Sequence, residues 1–206
     1  MRVIVMAKAP VAGYAKTRLA PALGAEGAAA LAARLLDAAV AKALASGVGP
    51  VELCVAPDPL HPAFQAWAGR VDVVAQGEGD LGARMARAFE RALAAGGPAV
   101  MIGTDAPALD AAVLRQAAAA LDTADAVVVP ALDGGYVLIG LRRMRPELFA
   151  DIPWSTDQVA RLTRQRLDET GARSRWLPAL ADVDEPADLV HVPPSWRPAT
   201  PGAAGA

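Results

Sequence analysis

The chain has 206 residues, enough for one domain with a sizeable core and few for two. Hydrophobic residues make up 54%, yet alanine supplies much of this and aromatics only 4%, so the core must pack through Val, Leu and Ala in close helix–sheet contacts. A net charge of −2 gives no bulk attraction for nucleic acid, so any anion site must come from locally placed cations.

The single cysteine, Cys54, excludes an intrachain disulfide and a cysteine-rich zinc site, and fits a reducing cytoplasm. Within the apolar run VELCV it reads as a buried structural thiol. The N-terminal apolar run is too short for a signal peptide, and no stretch reaches the ~18 strongly apolar residues of a membrane helix. A cytoplasmic domain without membrane insertion is expected.

In chain order, RVIVM (2–6) predicts a first strand. Residues 26–46 predict a helix with Leu31, Leu35 and Ala39 on one face. VELCV (51–55) and VDVVA (71–75) predict strands. GEGDLGARM (77–85) places glycines before a helix over 81–95, suited to close approach of a base or ribose, with Gly82 as the nucleotide-facing position. In that helix Leu81, Met85, Phe89 and Leu93 form the core stripe, while Arg84, Arg87 and Arg91 share a face that reads as solvated.

AVMIG (99–103) predicts a strand and 110–121 a helix capped by Asp110. DAVVVP (125–130) and YVLIGL (136–141) flank Asp133-Gly134-Gly135, a connection too short for a parallel crossover, so a hairpin or sharp reversal is expected. Ser155 and Thr156 are expected to cap a helix over 157–170, and a weaker strand lies at 174–178. Continuous apolar runs alternating with helices predict an α/β fold with a mostly parallel sheet in a single domain, residues 1–191. The Pro/Gly/Ala-rich segment 192–206 lacks periodicity and reads as a flexible tail.

Ligands of open α/β sheets bind at the carboxyl ends of the strands. The loop after the first strand, MAKAPVAGYAKTRLAPALG (6–24), carries Lys8, Lys16 and Arg18, enough to neutralise a di- or triphosphate. Ala7, Pro10, Gly13 and Thr17 complete the expected nucleotide-binding loop, with Gly13 free to take positive φ. Lys16-Thr17 follows Ala15 with no glycine at the Walker A spacing, which argues against a P-loop, and GxGxxG is absent. An ordinary solvated basic loop is the alternative.

Asp105, at the end of AVMIG and before Pro107, is suited to ligate Mg²⁺ or Mn²⁺. LADVDEPADL offers Asp182, Asp184 and Glu185, of which Asp184 is the expected second metal ligand, with helix capping as the competing role. Asp133, Gly134, Gly135 and Tyr136 form an expected acceptor or sugar subsite, with Trp154 as its wall. His61 and His191 suggest no role.

KAPVAGYAKTRL, GTDAPAL, DGGYVLIGL, WSTDQV and DVDEPADL, in this order, resemble a family of small bacterial glycosyltransferases annotated with arsenosugar biosynthesis, within the nucleotide-diphospho-sugar transferase superfamily. The resemblance spans roughly residues 2–190. It implies a GT-A-type three-layer α/β sandwich, a nucleotide held by the first loop and a divalent metal on Asp105. The first loop is also similar to that of 2-phospho-L-lactate guanylyltransferase, and the DVDEPADL ending resembles molybdenum-cofactor nucleotidyltransferases. The sequence departs from many metal-dependent glycosyltransferases in having no clear DxD motif in mid-chain.

Three activities follow. In glycosyl transfer from a nucleotide sugar to a small-molecule acceptor, Lys16 and Arg18 stabilise the leaving diphosphate and Asp133 serves as base. In nucleotidyl transfer the same cations hold a nucleoside triphosphate while a phosphorylated acceptor displaces pyrophosphate. A non-catalytic nucleotide-binding regulator keeps the loop without turnover. Exposed edges of such a sheet are compatible with a homodimer.

Overall fold

The structure is a computed structural model that describes residues 1–196. Seven strands form one sheet: β1 (Arg2–Lys8), β2 (Val51–Ala56), β3 (Asp72–Ala75), β4 (Ala99–Ile102), β5 (Ala126–Pro130), β6 (Tyr136–Leu141) and β7 (Ser174–Trp176). Their order is β3-β2-β1-β4-β6-β5-β7. All neighbours pair in parallel except β6, which runs antiparallel to both β4 and β5. The Asp133–Gly135 turn therefore closes a hairpin, and that hairpin supplies the one reversed strand.

Alternation along the strands explains the layers. Val3 and Val5 of β1 and Leu53 and Val55 of β2 face one side of the sheet. There they meet Leu36 and Val40 of α1 (Ala20–Ser46) and Leu114 and Ala117 of α4 (Ala111–Ala120). Ile4, Cys54, Met101 and Ile139 face the other side, against Met85 and Phe89 of α3 (Leu81–Ala94) and Leu167 of α5 (Val159–Glu169). Both faces are covered, which is why the inner strands are nearly continuous apolar runs, with the buried Glu52 of β2 as an exception. A short α2 (Pro62–Gln65) starts at His61, whose Nδ1 accepts the Ala63 N–H. At the sheet edge, β3 is only partly buried, unlike the four fully buried residues of β4.

Some sequence expectations change, and Leu81 is exposed at the start of α3 rather than part of its core stripe. Helix α1 begins at Ala20 rather than 26, with a break at Gly24 (φ 70°, ψ 165°) that interrupts the periodicity. The arginines of α3 are accessible to solvent and also partnered: Arg84 and the exposed Arg87 donate to the carbonyls of Gly79, Gln76 and Glu78, and Arg91 pairs with the buried Glu52. Residues 192–196 pack on the domain, with Val192 only 1% exposed among Leu19, Leu31 and Leu35. The remainder of the expected tail, 197–206, lies outside the described residues.

Candidate nucleotide and acceptor site

Strands β1 and β4 are neighbours, while the chain leaves β1 towards β2 on the other side, so a topological switch point lies between them. The loops after both strands meet there. The β1 loop turns through Gly13 (φ 75°) and Lys16, which adopts a left-handed conformation of its own (φ 51°). That conformation directs the Lys16 ammonium inward, where its side chain is only 7% exposed. Lys16 Nζ lies 2.8 Å from Asp105 Oδ2 and 3.8 Å from Asp184 Oδ1, and donates to the Val183 carbonyl at 2.5 Å. Arg18 Nη1 pairs with Asp184 Oδ2 at 2.9 Å, with Glu185 Oε1 3.8 Å away.

The loop after β4 is fixed by its own chemistry. Thr104 Oγ1 donates to Asp105 Oδ1 at 2.9 Å, and the Asp105 carbonyl accepts the Val183 N–H. Asp110, not Asp105, caps α4 through the amides of Ala112 and Val113. Asp184 is likewise not a cap: Asp188 accepts the amides of Asp184 and Glu185, which leaves the Asp184 carboxylate to the cations.

A third loop reaches this end through the strand that follows α5. After β7 the chain continues beside β5, with Leu180 N–H on the Pro130 carbonyl and Leu132 N–H on the Leu180 carbonyl. This brings Asp182 close to the hairpin turn. Burial, then the neighbouring charges of Asp133 and Asp105, push the Asp182 carboxyl above its ordinary value. Asp133 Oδ1 accepts the Gly135 N–H at 2.8 Å, closing the turn.

A second group of expected residues lies together on the α3 side. A Cβ on Gly82 would stand 2.2 Å from the Phe149 carbonyl oxygen and 2.7 Å from Trp154 Nε1, so only glycine fits there. Trp154 meets Tyr136 edge-on at a ring separation of 6.5 Å, and Tyr136 Oη lies 4.0 Å from Met85 Sδ. Burial raises the pKa of the Tyr136 phenol, which stays neutral. The Trp154 indole N–H is buried without a hydrogen-bond partner among the described residues. Ser155 has positive φ (64°) and no capping role, while Thr156 Oγ1 donates to the Pro153 carbonyl and accepts the N–H of Gln158, just before α5, at 3.4 Å.

The structure thus brings Lys16, Arg18, Asp105 and Asp184 into contact, with Asp133 and Asp182 nearby. Gly82, Tyr136 and Trp154 form a separate apolar group. Lys8 ends β1 exposed. Sequence reading missed Gln76, whose buried amide donates to the carbonyls of Ala7 and Cys54 and so pins the β3 loop beneath the first loop. Its only signal was a polar residue directly after a strand. The Cys54 thiol is pushed up to about 11, first by burial, which fits the expected structural thiol.

Two carboxylates converging on one cation position, with oxygen donors only, suit a hard divalent ion that completes its shell with substrate phosphates and water. Among the described residues no three His, Cys, Asp or Glu side chains gather as a protein-only metal cage. The residues therefore fit an ion shared with a substrate. No helix among them is long and apolar enough to cross a membrane.

Similarity to solved structures agrees with this architecture. A candidate nucleotide-diphospho-sugar transferase from Desulfovibrio desulfuricans G20 is 31% identical, with 91% of this chain and 84% of that chain covered and a TM-score of 0.85. A nucleotidyl transferase from Methanothermobacter thermautotrophicus shares the fold at 20% identity, covering 95% and 97% of the two chains with a TM-score of 0.61. The 4-diphosphocytidyl-2C-methyl-D-erythritol synthase of Anaerococcus prevotii DSM 20548 does so at 10% identity, covering 92% and 94%, with a TM-score of 0.55. No curated protein matches the sequence. Residues 36–156 match the model of a family described as "Uncharacterized protein conserved in bacteria (DUF2064)", and the chain belongs to that family.

Proposed function

We propose that the protein is a metal-assisted glycosyltransferase that moves a sugar from a nucleotide-diphosphate sugar to a small-molecule acceptor. The observation that carries this reading is the Lys16 ammonium held between Asp105 and Asp184 at the switch point, with further carboxylates on the acceptor side. Lys8, Lys16 and Arg18 would hold the diphosphate, Lys16 exchanging carboxylate oxygens for phosphate oxygens as the donor enters. Asp105 and Asp184 would hold Mg²⁺ or Mn²⁺, which neutralises charge on the departing diphosphate. Ala7, Pro10, Gly13 and Thr17 would shape the nucleotide's bed, whereas Gly82, expected there, is buried against Phe149 and Trp154 on the α3 side.

Asp133, whose Oδ1 is engaged by the Gly135 amide, would take the acceptor hydroxyl's proton on Oδ2. Gly134, Gly135, Tyr136 and Trp154 would border the acceptor. Asp133 and Asp182 make this side anionic and favour an uncharged hydroxyl acceptor over a phosphorylated one. Nucleotidyl transfer, guanylyltransferase-like, is the second reading, favoured by three cations on one loop, a good match to a triphosphate.

The deciding assay offers Mg²⁺ or Mn²⁺ with sugar conjugates of UDP, GDP, CDP and dTDP, or with nucleoside triphosphates, over a panel of hydroxyl and phosphorylated acceptors. Nucleoside diphosphate release is expected; pyrophosphate release would establish the second reading instead. Asp105→Ala should lose at least 100-fold in rate, and a variant as active as wild type would sink both.

A further inference from the structure

The loop that carries Asp105 is tied down at two backbone carbonyls, one by Val183 and one by Lys42, whose ammonium lies over Trp196. The Asp105 carbonyl accepts the amide of Val183, which is fully buried beside Leu19, Leu31 and Val192. The Pro107 carbonyl accepts Lys42 Nζ at 2.6 Å. That ammonium projects from α1 and lies 5.7 Å from the ring centre of Trp196. Burial lowers the Lys42 pKa against the opposing charge of Asp110, and the Trp196 face and the Pro107 carbonyl are the ammonium's other neighbours. Trp196 and the Asp105 loop, through Gly103, Thr104 and Pro107, line one small cavity against α1. Arg34 fixes the approach by donating to the Ser195 carbonyl at 3.0 Å.

We infer that Trp196 and Lys42 are positioning residues for Asp105, and that the segment from Val183 to Trp196 is a strap holding the metal-side carboxylate in place. The inference rests on the reading of Asp105 as the residue facing the nucleotide's metal ion. Its physical reason lies in the exchange proposed for Lys16. While Lys16 pairs with Asp105, the carboxylate is held through its side chain. Once the ammonium turns to phosphate, that hold is lost, and the Thr104 hydrogen bond and the two carbonyl ties remain. Trp196 keeps the Lys42 tie by limiting the ammonium's access to water.

The test uses the full chain with Trp196→Ala, Trp196→Phe and Lys42→Met, read by amide hydrogen exchange under NMR. The Val183 amide reports its bond to Asp105 directly. Exchange at Val183 and over 103–109 should be about tenfold faster in Trp196→Ala and Lys42→Met, and restored in Trp196→Phe, with β1 and β6 amides unchanged. UDP and GDP should bind these two variants about tenfold more weakly in Mg²⁺ and unaltered in EDTA, because the strap acts only through the metal-side carboxylate. Wild-type exchange at Val183 and 103–109 in Trp196→Ala, or failure of Trp196→Phe to restore it, would overturn the strap. If wild type binds neither nucleotide, the nucleotide reading falls, and the exchange data still decide the strap.

Discussion

Lys16 holds a left-handed backbone conformation (φ 51°, ψ 40°), which costs a non-glycine residue about 1 kcal/mol or more, and buries its ammonium. Burying a charge is tolerated only when it is paired and hydrogen-bonded. The Asp105 carboxylate and the Val183 carbonyl meet that need. Both acidic partners are nearly half exposed, so solvent screens much of the pair. Lys16→Met should therefore cost only about 1–2 kcal/mol, near 2–8 °C in Tm. The same variant should lose all thermal stabilisation by UDP or GDP with Mg²⁺; stabilisation equal to wild type would remove Lys16 from the site. Lysine, arginine and aspartate at strand ends could be read from the sequence as opposite charges at one end of the sheet, where an anion and a metal are expected. Their direct contact could not, because it depends on β4 lying beside β1 and on the strap returning from the far end of the sequence.

At the scale of elements, continuous apolar runs and glycine punctuation made the strands and the β5–β6 hairpin readable, since a strand covered on both faces has no polar alternation. The partners of the α3 arginines were not legible, because a charged helix stripe looks the same whether it meets water alone or backbone carbonyls as well. The hairpin's docking was also beyond the sequence. Gly134 has φ 93°, and a Cβ there would stand 2.2 Å from the Asp157 carbonyl oxygen. Its own carbonyl accepts the Ala160 N–H, so one turn residue joins the β5–β6 hairpin to the start of α5. Gly134→Ala combines backbone strain with a clash against main chain. It should cost about 3 kcal/mol, near 6–12 °C in Tm by calorimetry. Gly171→Ala, with positive φ but open space around its Cβ, should cost less; equal losses would show that docking against Asp157 adds nothing.

Across the molecule, a net charge of −2 provides little long-range attraction for a nucleotide, so binding depends on the balance at the carboxyl ends of the strands. There Lys8, Lys16 and Arg18 stand against Asp105, Asp133, Asp182, Asp184 and Glu185, and Lys16 and Arg18 are already paired within that set. A diphosphate entering such a locus must break existing ion pairs and face uncompensated carboxylates. On the proposed reading, a divalent ion on Asp105 and Asp184 would reverse that balance by adding two positive charges where the carboxylates converge, and would free Lys16 for phosphate. Affinity for UDP or GDP, measured by calorimetry, should thus fall at least tenfold when Mg²⁺ is replaced by EDTA. Asp184→Asn should reduce the metal's effect while leaving the weak metal-free binding intact or stronger. Equal affinity with and without the ion would mean that the three cations suffice alone, and that the convergence of Asp105 and Asp184 on one point serves only to hold Lys16.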